Sequence, residues 1–72
     1  MGSQIYRMKV RFEIFKKSRL LRSPRWYWRL VAANNEIIAI GTEPFDSQAN
    51  TKRAIKAVRQ YAAQADIELS EN

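Results

Sequence analysis

Lys9, Val10, Arg11, Phe12, Glu13, Ile14 and Phe15 alternate charged with apolar side chains almost without a break. A period of two puts Val10, Phe12 and Ile14 on one side of an extended chain and Lys9, Arg11 and Glu13 on the other, which predicts a half-buried strand. From Lys16 to Pro24 the alternation gives way to Lys16, Lys17, Arg19 and Arg22 mixed with Ser and Pro, and this punctuation predicts a basic loop. Trp26 to Ala32 is rich in aromatic and branched residues and predicts a second strand; Glu36 to Ile40 predicts a third. Between them Asn34-Asn35 suits a two-residue hairpin turn, because Asn tolerates positive φ. That turn would set Ala33 against Glu36, Ala32 against Ile37, Leu30 against Ala39 and Trp28 against Gly41. Trp28, Leu30, Ala32, Ile37 and Ala39 then share one face, and Tyr27, Arg29, Val31, Ile38 and Ile40 the other. Gly41 would leave room for the indole of Trp28.

Beyond Pro44 the period changes. Ser47 is an expected N-cap, followed by a run rich in Ala, Gln, Lys and Arg to about Ala65. Ala54, Ile55, Val58, Tyr61, Ala62 and Ala65 fall at helical spacing, with Lys52, Arg53, Lys56 and Arg59 on the flanks and far side. The stripe is expected to lie on the Trp28 and Leu30 face. Asp66 to Leu69 alternates again, with Ile67 and Leu69 inward, and predicts a short last strand that needs an edge on its own sheet or a partner's. The order β-β-β-α-β implies an α+β fold in two layers, an antiparallel sheet carrying one helix. The domain spans residues 8–69, with tails at 1–7 and 70–72.

Seventy-two residues make one small domain. Such a chain buries only about 60% of the surface it exposes when unfolded, and small cores usually need a disulfide, a metal or a partner. There is no Cys and no His, and the seven acids are scattered without ligand spacing, so neither disulfide nor metal nor cofactor is expected. Self-association remains, which predicts a homodimer. Catalysis of the common nucleophilic kinds also lacks its residues. Glu36 borders a turn, Glu43 and Asp46 flank the helix start and Glu68 points outward, so the protein is expected to be non-enzymatic. No apolar run reaches signal-peptide length or the roughly 20 residues of a membrane span; a cytoplasmic location and no membrane partner are expected.

The net charge is +6, and its distribution says more than its size. Residues 7–29 hold nine bases and one acid, Glu13, whereas residues 30–51 hold three acids and no base. So concentrated a positive field attracts phosphate-bearing anions. The candidate anion-binding residues are Arg11, Lys16, Lys17, Arg19, Arg22, Arg25 and Arg29. Tyr27, beside Arg25 and Arg29, is the first candidate for stacking on a base, with a cross-strand pair as its alternative; Trp26 is the second, and Trp28 is expected in the core. Three functions fit. A homodimer that binds nucleic acid is slightly favoured. A sequestering, sponge-like protein, of a kind a phage could encode against host defence, would hold a small nucleotide signal at the dimer interface. An accessory module contacting another protein would use the charge to speed encounter.

Trp28-Arg29-Leu30, then Ala32-Ala33-Asn34, Glu36-Ile37-Ile38-Ala39, Phe45 and Ser47, with Ile55 and Val58 three apart, resemble the YegP family of small uncharacterised proteins across about residues 10–69. The resemblance implies a β3-αβ unit that occurs as a tandem repeat or a dimer, two units sharing one sheet and exchanging their last strands. With room for one unit, this chain would be a homodimer in which Asp66 to Leu69 pairs with the partner. Asn35 stands where the family has Gly, Phe45 where it has Tyr, and the basic run Lys16 to Arg25 replaces a shorter first loop. The resemblance brings no catalytic residues.

Overall fold

The computed structural model describes residues 9–20 and 22–71, without the side chains of Arg19 and Arg22. The expected tail at 1–7 lies outside the described residues. Three antiparallel strands, β1 (Arg11–Arg19), β2 (Arg22–Val31) and β3 (Ile37–Ile40), form one open sheet in that order, followed by helix α1 (Gln48–Ala62). This is the expected α+β class.

The expected basic loop is instead the continuation of a hairpin. β1 and β2 pair from Arg11 opposite Val31 to Lys17 opposite Arg25, and again at Arg19 opposite Arg22, leaving two residues to connect them. The register shifts between Lys17 and Arg19, so that Ser18 meets both Ser23 and Pro24. A bulge is where a strand tolerates a proline, which has no N–H for the ladder. Cross-strand side chains hold the extension together: Lys16 lies over the Trp26 ring at 5.5 Å and Lys17 over the Tyr27 ring at 5.6 Å.

The second hairpin also departs from expectation. The Asn35 N–H donates to the Ala32 carbonyl and the Ala32 N–H to the Glu36 carbonyl, both at 2.8 Å, giving a three-residue turn. Asn35 takes φ 72°, the left-handed position that such a turn needs at its third residue. Ala32 therefore faces Glu36, and Val31 faces Ile37. One further residue is absorbed at Ile38, after which Leu30 faces Ala39 as expected, and the Gly41 N–H donates to the Trp28 carbonyl at 3.0 Å. Ile37 thus shares the face of Arg29 and Val31, not that of Trp28 and Leu30. After Gly41 the chain returns to β2 at Phe45, which exchanges both backbone hydrogen bonds with Trp26 (2.8 and 2.9 Å).

Ser47 caps α1: in extended conformation, its Oγ accepts from the Asn50 N–H at 3.1 Å. Thr51, wholly buried, satisfies its hydroxyl on the Ser47 carbonyl at 2.8 Å. The helix packs on β1 and β2. One sheet face carries Phe12, Ile14, Trp28 and Leu30, with Phe12 and Trp28 in edge contact at 5.7 Å between centroids. On the other face, among the described residues, a depression is lined by Arg11, Glu13, Arg29, Val31, Asn35 and Ile37, none of them from the helix. The helix therefore lies on the Trp28 and Leu30 face. Val31 and Ile55 are the buried apolar side chains among the described residues, at 3% and 6% exposure. Val31 owes its burial to its register partners, since the Arg11 stem and Ile37 flank it on the open face.

The expected last strand does not form within the single chain. α1 ends at Ala62, residues 65–71 have neither helix nor strand, and Tyr61, Ile67 and Leu69 stand exposed. A strand exists only where an edge receives it, and neither β1 nor β3 receives this segment from its own chain. Among the described residues no helix is long and apolar enough to cross a membrane.

Candidate nucleic-acid interface

Alternation along two paired strands sorts the candidate residues onto two faces. Arg11, Lys17, Arg25, Tyr27 and Arg29 belong to the open face, together with Glu13 and Phe15. Lys16 and Trp26 belong to the opposite face, where the lysine covers the indole. Arg19 and Arg22 oppose each other at the hairpin end; their side chains lie outside the described residues.

Glu13 organises the inner half of the open face. Its two oxygens accept from Arg29 Nε at 2.8 Å and from Arg11 Nε at 3.0 Å. Arg11 also donates to the Asn35 side-chain oxygen at 2.8 Å and to the Lys9 carbonyl at 3.2 Å, tying the N-terminal part of β1 to the β2–β3 turn. The hydrogen bond from Arg29 is the main reason the Glu13 carboxyl is held below its ordinary pKa, with Arg11 adding to it and partial desolvation opposing. One carboxylate shared by two guanidinium groups leaves this triad a single net positive charge.

From Arg29 a row of stacked groups runs outward. Arg29 lies over the Phe15 ring at 4.6 Å, Phe15 stacks on Tyr27 at 5.8 Å and 21°, and Lys17 covers Tyr27. Tyr27 is therefore engaged in a cross-strand aromatic pair. Arg25 reaches Asp46, just before the helix, at 2.9 Å in an exposed pair worth little.

At the hairpin end the strand register sets like charges against each other, with Asp46 pairing Arg25 from outside the ladder. Lys17 opposes Arg25, and Arg19 opposes Arg22, two like-charge cross-strand positions in succession. Like charges directly opposite destabilise a sheet. Among the described residues this end is also two strands wide, the outermost pairing on the far side of β2 being Phe45 at Trp26. Among the described residues no group of three or more acidic side chains gathers as a metal would require. Reading the sequence as a loop hid Glu13 and Phe15 as partners in this face; counting back from the 20–21 connection would have set them against Trp28 and Trp26, and it is the one-residue bulge at Ser23–Pro24 that moves them to Arg29 and Tyr27.

An open three-stranded sheet with one helix beneath it and a row of cations above defines a small α+β sheet-and-helix domain. The chain belongs to the family described as Domain of unknown function (DUF1508), which matches residues 22–68. No curated protein and no solved structure matches it. β1, with Arg11, Lys16, Lys17 and Arg19, precedes the matched stretch.

Proposed function

We propose that this protein is a non-enzymatic binding module for a phosphate-bearing anion, with nucleic acid as the ligand. The observation that carries the reading is the pair of like-charge cross-strand positions, Lys17 with Arg25 and Arg19 with Arg22, at the free end of the hairpin. Each is unfavourable in isolation. A polyanion laid along the hairpin turns the repulsion into attraction and releases its own counterions. The working compartment in this reading is the cytoplasm.

The working unit in this reading is a homodimer of the YegP-like kind. A single chain buries little apolar surface and leaves Ile67 and Leu69 exposed on a segment with no strand partner of its own. Pairing that segment with a second copy's sheet edge would cover both leucine and isoleucine and complete the expected fourth strand. A two-fold axis would then present two hairpins to one ligand. Light scattering should report twice the chain mass, and deletion of residues 66–72 should halve it.

Substituting Arg19, Arg22 and Arg25 together by Glu tests the site. Anisotropy of a labelled oligonucleotide should show binding lost, and each phosphate contact removed should lower the salt slope by about one. The circular dichroism of the folded dimer should be unchanged. Unaltered affinity in the triple variant refutes the site. A stoichiometric small nucleotide released on denaturation, held with weak salt dependence, would replace this reading by the sequestering one.

A further inference from the structure

Resting on that reading, we infer the form of nucleic acid this chain takes: B-form duplex DNA, entered through its major groove by the free end of the β1–β2 hairpin, with Leu20 against thymine methyl groups. Three observations converge on it. The first is width. Among the described residues no third strand pairs with the hairpin beyond Trp26, so a ribbon of two strands about 4.8 Å apart continues past the sheet, tied at its root by Arg25 to Asp46. A B-form major groove, about 12 Å across, admits such a ribbon, while the deep, narrow major groove of an A-form duplex excludes side chains.

The second concerns the aromatic rings. Single strands are gripped by bases stacking on free ring faces. Here Phe15 and Tyr27 stack on each other with Arg29 and Lys17 over them, and Trp26 lies under Lys16. Residues 18–25 contain no aromatic side chain at all. The ribbon end offers cations for two phosphate backbones and no platform for an unpaired base.

The third is Leu20, 89% exposed between strands that are otherwise basic at this end. An apolar side chain gains nothing from phosphate, but in the major groove the thymine C5-methyl is an apolar partner. Contact with one methyl is worth about fourfold in affinity. The ribbon therefore prefers duplexes with thymine at its tip while remaining tolerant of sequence elsewhere.

The experiment measures anisotropy on a labelled duplex of about two turns, its separated strand, the RNA duplex of the same sequence, the same DNA with deoxyuridine for thymidine, heparin and phosphatidylserine vesicles. Duplex DNA should bind roughly tenfold more tightly than single strand or RNA duplex at one salt concentration. Deoxyuridine should weaken binding about fourfold, and Leu20→Ser, a change at an exposed position that leaves folding intact, should erase that difference. Equal or tighter binding to single strand or RNA, or no effect of deoxyuridine, overturns the inference while leaving a polyanion-binding module. Vesicle binding that Leu20→Ser abolishes, without a DNA preference, overturns it in favour of a membrane. Failure to bind any of these, heparin included, removes the proposed function and this inference with it.

Discussion

Gly41→Ala should be among the most damaging single-methyl additions this protein can receive. A Cβ built on Gly41 would lie 2.8 Å from Trp28 Cδ1 and closer still to Nε1 and Cε2. The Gly41 N–H is fixed on the Trp28 carbonyl, so the backbone cannot retreat without losing that hydrogen bond. The indole must leave instead. Forcing a methyl into an occupied site costs about 1–3 kcal/mol, and moving the ring off its edge contact with Phe12 removes a further ~0.5–1.5 kcal/mol. The sum, about 1.5–4.5 kcal/mol, should lower Tm by roughly 6–36 °C for a domain of this size. Thermal unfolding at one protein concentration, followed by circular dichroism, measures it. The partner experiment repeats Gly41→Ala in a Trp28→Leu background, where a smaller side chain no longer fills the space. The two changes should then couple by about 1.5 kcal/mol or more. A Gly41→Ala protein within about 0.5 kcal/mol of the parent, or an equal loss in both backgrounds, would refute the claim that Gly41 exists to seat the indole.

Two other perturbations follow from single contacts. Ser47→Ala removes the acceptor for the Asn50 N–H and should cost about 1 kcal/mol, read from the denaturant midpoint at unchanged m-value; Ser47→Asp should recover most of it. The Glu13 carboxyl titrates lower folded than unfolded, so its stabilisation is complete above its ordinary value of 4.5 and disappears as pH falls through the depressed folded value. Tm should therefore fall more steeply between the ordinary value and the depressed folded one in the parent than in Glu13→Gln, and parallel acid limbs would count against the triad.

What could be seen in the chain alone was whatever a short window decides. The alternation of Lys9 to Phe15 is local, and it marks β1 whatever lies beside it. Ser47 and the stripe through Ile55 mark α1 for the same reason, and the small residue opposite Trp28 was readable once β2 and β3 were paired. The candidate cations, too, were visible as a run of like charge. Register was not. Whether Ser18 and Pro24 break a chain or sit in a bulge depends on the strand opposite, and here the rings of Trp26 and Tyr27 beneath Lys16 and Lys17 carry the hairpin past them. Asn34-Asn35 fits a turn of two residues or three. The longer one stands with Asn35 in the left-handed region and bonded to Arg11, 24 residues away, and that single step moved Ile37 to the other face. The charge triad has the same origin, since Glu13 finds Arg29 only across a ladder sixteen residues long in sequence. Periodicity is written into the energies of neighbouring residues. Which face meets which, and so which cations lie beside a carboxylate and which beside another cation, is decided by pairings between strands that no local window contains.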